Sequence, residues 1–127
     1  MEEATREDRA GSRFSCTVRE RALFEAGIKM GTIYHQFVGT PFSDRTVHEL
    51  EEAMATAISV QPYVDSVEVR IVYPRTDSDD TYSYHSLTGD MIDAKVVVSI
   101  DGVSVTAEMR YDQDLRYPLM YISGIQD

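Results

Sequence analysis

The chain has 127 residues, of which 22 are acidic and 12 are basic, giving a formal net charge of −10. This charge repels phosphate backbones and anionic lipid, and no local basic patch offsets it, so the sequence argues against nucleic-acid and membrane binding. No apolar segment is long enough to span a bilayer, the first residues lack the apolar core of a signal peptide, and the single cysteine, Cys16, cannot form an internal disulfide. These features favour a location in the cytoplasm.

The N-terminal segment is polar and charged and contains a glycine. Because such termini bury little surface, we expect residues 1–18 to be flexible. Residues 19–127 are predicted to form a single domain, since a chain of this length supports one modest core. A partner subunit would add to the buried surface.

A long first helix is predicted from Arg19 to Phe37. Apolar side chains recur there at intervals of three and four residues, at Leu23, Ala26, Met30, either Ile33 or Tyr34, and Phe37. Gly39 stands where a C-terminal cap is expected, and Pro41 prevents the helix from continuing. Lys29 follows Glu25 by four residues, a spacing that predicts an ion pair along the helix.

A second helix is predicted to begin near Ser43 or Asp44, with Thr46 and Glu49 at the spacing of a capping box. Its apolar stripe consists of Val47, Leu50, Met54, Ala57 and Ile58. Pro62 ends this helix. If the last turn persists, the next position on the stripe is residue 61, a glutamine.

Strand patterns follow the helices. Alternation from 67 to 73 predicts a half-buried strand, and the apolar segments 94–100 and 103–111 flank Asp101-Gly102, a strong signal for a two-residue hairpin. A last short strand is predicted at 119–122. The polar segment 75–90 is too long for a simple connection and is typical of a functional loop. We therefore predict an α+β fold in which two N-terminal helices pack on a mainly antiparallel sheet as a single two-layer domain.

Several polar residues interrupt the predicted apolar faces: Glu25, His35, Gln61 and Tyr111. Each has a structural explanation, as an ion-paired carboxylate, a hydrogen-bonded histidine, a helix-end cap and a core tyrosine. The three histidines lack the spacing of a zinc site and no cysteine pair assists them, so no metal site is predicted. The residues by themselves thus indicate an α+β domain that could carry a polar pocket.

Four blocks of sequence, taken in order, are more specific than any one of these residues. They are FEAGIKMGTIYHQF from Phe24 to Phe37, the segment around Gln61, YSYHSLTGDM from Tyr82 to Met91, and MRYDQDLRYPLMYI from Met109 to Ile122. Together they resemble the archaeal dihydroneopterin aldolases of methanopterin biosynthesis. The resemblance extends from about Arg19 to the C-terminus.

The resemblance implies a carbon–carbon lyase that needs neither metal nor cofactor. Such an enzyme cleaves the side chain of 7,8-dihydroneopterin and leaves 6-hydroxymethyl-7,8-dihydropterin and glycolaldehyde. It also implies a homo-oligomer, with a tetramer favoured. Two alternatives stay open: a non-catalytic module that binds small molecules or proteins, and a pterin epimerase. Only the aldolase releases glycolaldehyde.

Roles for individual residues also come from the resemblance. It assigns substrate binding to Glu25, Tyr82 and Tyr111. His35 and Gln61 attend a water that serves as base, and a tyrosine of the 82–84 block, with Tyr84 favoured, acts as acid. Ten residues separate Glu25 from His35 on the first helix, a rise of about 15 Å. Either the substrate extends along the helix, or the pocket joins residues of two subunits.

Overall fold

The fold is described from a computed structural model that covers residues 3–76 and 80–127. The helices are α1 (Arg6–Gly11), α2 (Val18–Phe37) and α3 (Val47–Ser59), and the strands are β1 (Pro41–Phe42), β2 (Val64–Ile71), β3 (His85–Ser86), β4 (Ile92–Ile100), β5 (Val103–Asp112) and β6 (Tyr117–Gln126). A short 3-10 turn, Gly89–Met91, precedes β4.

One antiparallel sheet of four strands, in the order β2-β4-β5-β6, forms the first layer, and β1 pairs with β3 beside it. Helix α2 packs on β4 and β5, and α3 packs on β2. Strand β4 explains the layering, because Ala94, Val96 and Val98 point into the helices while the residues between them are only half-buried. The predicted α+β fold, with two helices on a mainly antiparallel sheet, is confirmed.

Helix α2 forms close to its predicted limits. Thr17 and Glu20 make a capping box at its start, and its last residue is Phe37. Gly39 follows in the left-handed region, with φ of 96°, as a C-terminal cap requires. Among the helices in the described parts of the chain, none has the combination of length and apolar character needed to cross a membrane.

The predicted start of α3 is wrong. The helix begins at Val47, and the Thr46 side chain makes no cap hydrogen bond. The Thr46 hydroxyl instead accepts from the Ser43 amide at 2.9 Å. Because this turn before the helix satisfies the hydroxyl, the predicted capping box with Glu49 does not form.

Two strands differ from their predicted limits. Strand β2 covers Val64–Ile71 instead of 67–73, so it begins earlier and ends earlier than predicted, and β6 covers ten residues instead of the four predicted at 119–122. The cause in β6 is pairing with β5, which continues through an irregularity between Thr106 and Ala107. A strand with half-exposed side chains on both faces lacks the alternation that sequence patterns detect.

The N-terminal segment contains a short helix that the sequence analysis did not predict. Thr5 and Asp8 form a capping box at the start of α1, and the Glu7 side chain contacts Arg21 of α2. The flexibility of residues 1–18 stays a prediction. Of the predicted functional loop 75–90, residues 77–79 lie outside the described residues.

Candidate active site

Glu25 and Lys29 form a nearly buried ion pair on α2. Lys29 Nζ donates to Glu25 Oε2 at 2.7 Å, and the two side chains are 5% and 12% exposed respectively. The ion pair predicted from the i,i+4 spacing is therefore confirmed. A carboxylate offers about four acceptor positions, so the bond from Lys29 leaves Glu25 able to accept further donors. A buried charge of this kind is costly without partners.

Gln61 lies two residues beyond the end of α3, and its near neighbour Tyr63 is close enough to Glu25 to feel its charge. The helix ends at Ser59, so the last helical turn does not persist to residue 61. The backbone N–H of Gln61 still donates to the Ile58 carbonyl at 3.0 Å. Tyr63, two residues later, accepts from Arg21 Nη2 at 2.6 Å. Its hydrogen bond to Glu7, then burial, raises the pKa of the Tyr63 hydroxyl, and the nearby charge of Glu25 adds to this increase.

His35 lies at the opposite end of α2, in the last helical turn. It is exposed, and its ring meets the Tyr34 ring edge to face at 5.0 Å. Tyr34 in turn packs against Gly89, which precedes β4. His35 is thus held beside the turn that begins β4.

Tyr84 lines a cavity of about 340 Å³ near β1 and β3. It is 67% exposed, whereas Tyr82 is 87% exposed and is not among the lining residues of this cavity. The location of Tyr84 in a concave surface agrees with its selection over Tyr82 as the candidate acid, and both assignments stay predictions.

Asp44 and His85 line the same cavity, and the sequence analysis did not select either of them. His85 Nε2 lies 3.7 Å from Asp44 Oδ1, and the Tyr73 hydroxyl donates to that oxygen at 2.7 Å. The His85 ring stacks on Phe42, with ring centroids 5.2 Å apart. The available signal was the position of His85 directly after Tyr84 in the YSYHSLTGDM block.

Tyr111 belongs to the end of the sheet where β4 begins. It faces Pro118 in the pairing of β5 with β6, two residues beyond Met109, which pairs with Ala94. Tyr111 lies on the same face of β5 as the buried residues Val105, Ala107 and Met109, as predicted. Because it stands at the end of that face, its side chain is 42% exposed.

These positions divide the predicted site residues into two groups at opposite ends of β4. The carbonyl of Tyr63, two residues after Gln61, accepts from the Ser99 amide near the end of β4, whereas the register of β4 with β5 brings Tyr111 level with Ile92 at its start. The seven residue-to-residue steps from Ile92 to Ser99 span roughly 23 Å at about 3.3 Å per step. We call these two ends the Gln61 end, with Glu25, and the Tyr111 end, with His35 and Tyr84. One chain does not bring all the predicted residues together.

No group of three or more histidine, cysteine, aspartate or glutamate side chains among residues 3–76 and 80–127 is arranged to hold a metal ion. The donors that the two groups offer are carboxylate, imidazole, amide and phenol. This set suits hydrogen bonding to a polar heterocycle and the transfer of protons.

Comparison with known proteins agrees with the resemblance seen in the sequence. The family model described as dihydroneopterin aldolase matches residues 17–123. A dihydroneopterin aldolase of Picrophilus torridus is 40% identical over 118 residues, which are 93% of this chain and 98% of the relative. A dihydroneopterin aldolase of Methanopyrus kandleri is 34% identical over 108 residues, or 85% and 89% of the two chains.

A solved structure shares the fold of this chain. The crystal structure of a protein from Picrophilus torridus superposes with a TM-score of 0.83 at 38% sequence identity, covering 91% of this chain and 95% of the other. Both the sequence and the fold are therefore shared over most of their length. The chain belongs to the dihydroneopterin aldolase family.

Proposed function

We propose that the chain is a dihydroneopterin aldolase that converts 7,8-dihydroneopterin into 6-hydroxymethyl-7,8-dihydropterin and glycolaldehyde. The observation that carries the proposal is the nearly buried Glu25 carboxylate on α2, within the part of the chain that matches the family. The names of the two archaeal relatives support the activity. We further propose that the enzyme serves methanopterin biosynthesis in the cytoplasm.

Glu25 fits the task of binding a pterin. The ring of a pterin presents N3-H and a 2-amino group as two parallel donors, which one carboxylate accepts as a charge-assisted pair. Lys29 donates to one carboxylate oxygen and pairs its charge in a site that is mostly removed from water. Glu25 thus contributes a contact that exists before the reaction begins.

The bond cleavage itself requires only proton transfers by the protein. In a retro-aldol reaction the electrons of the broken bond need an acceptor, and the N5=C6 imine of the dihydropterin is one. A base removes the side-chain hydroxyl proton, for which we propose a water held by His35 and Gln61. Tyr84 then protonates the developing enamine. Each positioned acid or base contributes about 10²–10⁴ in rate.

The two-ended arrangement leads us to propose that the complete site joins two copies of the chain in a homo-oligomer, with a tetramer favoured. Exposed apolar side chains support an interface: Phe24 and Ile28 on α2, and Met120 and Ile122 on the edge strand β6. If copies pack so that the Gln61 end of one meets the Tyr111 end of the next, Gln61 and His35 can share one water.

Complementation between two impaired variants tests the shared site. His35→Ala and Gln61→Ala should each lower kcat, since each removes one of the groups that hold the water. Oligomers co-expressed from both variants should recover about a quarter of wild-type activity, because random mixing restores one site in four when each site takes one residue from each copy. Mixed oligomers no more active than the parent variants would show that the two residues do not meet across an interface.

Removal of metal tests the proton-transfer mechanism. Treatment with EDTA should leave kcat/KM unchanged, because the substrate's imine already supplies the electron acceptor that a metal would otherwise provide. The measurement is glycolaldehyde release before and after chelation. Activity that is lost with EDTA and restored by zinc would overturn this mechanism.

A further inference from the structure

A ring of hydrogen bonds joins the N-terminal helix to the turn that carries Gln61. Arg21 Nη1 donates to Glu7 Oε1 at 3.1 Å, and Arg21 Nη2 donates to the Tyr63 hydroxyl at 2.6 Å. The Tyr63 hydroxyl donates in turn to Glu7 Oε2. Glu7, Arg21 and Tyr63 are here called the clamp. Its members come from α1, from α2 and from the turn directly before β2.

The Arg21 guanidinium has a closely defined position. It lies 4.3 Å from the centroid of the Phe14 ring and 5.1 Å from that of Tyr63. Arg21 is only 7% exposed, and its Nε is buried without a hydrogen-bond partner in the described part of the chain. A guanidinium this far from water depends on its remaining partners, so the carboxylate of Glu7 is its essential counter-charge.

Tyr63 needs this support because its backbone is strained. Its φ is 71°, in the left-handed region that a bulky side chain adopts only when its surroundings enforce it. The Tyr63 carbonyl accepts from the Ser99 amide at 2.9 Å, and the clamp holds the hydroxyl. Pro62 also restricts the backbone of Gln61, because Gln61 directly precedes it in the chain. The strained residue and the restricted one together determine how the turn presents Gln61.

We infer that Glu7, Arg21 and Tyr63 are positioning residues that hold Gln61 in place for the reaction. The inference rests on the proposed function of Gln61. It gives the N-terminal helix a role in turnover, although Glu7 lies outside the residues 17–123 that match the family model. We assign the clamp no contact with the substrate or with the water that serves as base. It acts only by holding the turn that carries Gln61.

The test compares Glu7→Ala and Tyr63→Phe with Arg6→Ala, an exposed change on the same helix. The first two should speed amide hydrogen exchange at Gln61 and Ser99 about tenfold, because loss of a charged hydrogen bond loosens the turn, while Arg6→Ala should leave it unchanged. They should also lower kcat about tenfold and change KM less than about twofold. Unchanged exchange at the turn would overturn the clamp.

Repeating the Tyr63→Phe change in a Gln61→Ala protein separates a positioning role of the clamp from a general loss of protein stability. In the Gln61→Ala variant, Tyr63→Phe should have no further effect on kcat, because the group that the clamp positions is gone. A further loss of kcat there, or faster exchange with unchanged kcat in the single variants, would overturn the positioning role. If the wild-type protein releases no glycolaldehyde, the proposed function fails, and the exchange measurement alone decides whether the clamp holds the turn.

Discussion

Glu25→Gln should raise KM for dihydroneopterin by about 10- to 100-fold and leave kcat within about threefold, since a hydrogen bond to a charged group contributes about 1.5–3 kcal/mol. The substitution keeps the shape of the side chain but replaces an acceptor oxygen by an amide donor, which faces the donors of the pterin. This contact forms with the ground-state ring and persists in the transition state, so its loss weakens binding rather than chemistry. Steady-state kinetics on the purified variant gives both constants.

Lys29→Met is the matched comparison, since it keeps the carboxylate and removes its partner at 2.7 Å. We expect most of kcat to remain, because the retro-aldol reaction does not require a Schiff base. Stability should fall by about 3–5 kcal/mol, the range measured when one partner of a buried pair is removed. A folded Lys29→Met protein without turnover would give lysine a chemical role. A lower kcat with unchanged KM in Glu25→Gln would instead give Glu25 a role in proton transfer.

Gly89→Ala should lower the free energy of unfolding by about 1–3 kcal/mol, the usual cost of overpacking. A Cβ atom at this position would lie 2.3 Å from Cε2 of Tyr34 and 3.0 Å from its Cζ. The Tyr34 ring must therefore move, and His35 beside it will move too, so kcat should also fall. Denaturant unfolding followed by circular dichroism measures the stability.

Gly11→Ala is the control for the added methyl group. A Cβ there lies 3.5 Å from Arg21 Nη1, an ordinary contact, so stability should change by less than about 0.5 kcal/mol. Equal stabilities of the Gly89→Ala and Gly11→Ala proteins would mean that Tyr34 does not pack against Gly89 as described.

The parts of the fold that sequence patterns predicted carry strong local signals. Helix α2 has a clear apolar period and a glycine cap, and the β4–β5 hairpin surrounds Asp101-Gly102. The parts that were missed depend on partners distant in the sequence. The length of β6 follows from its pairing with β5, and the start of α3 follows from a competing bond between Ser43 and Thr46. Patterns along the chain do not contain this information.

The same distinction applies to the candidate site. The Glu25–Lys29 pair was predictable because a helix brings residues four apart together. The clamp was not, since its contacts join residues 14 and 56 positions apart. The separation of Gln61 from Tyr111 likewise depends on the direction of β4, which only the sheet topology defines. The resemblance could name the site residues but not their distribution between the two ends of β4.

Product analysis with 7,8-dihydroneopterin tests the central claim most directly. The purified protein is incubated with this substrate, and the mixture is separated by chromatography with detection of both pterins and aldehydes. The proposed activity predicts equal amounts of 6-hydroxymethyl-7,8-dihydropterin and glycolaldehyde, with neither formed in the absence of protein. Unchanged dihydroneopterin would contradict the proposed activity in favour of a binding module, and an epimer formed without glycolaldehyde would contradict it in favour of an epimerase.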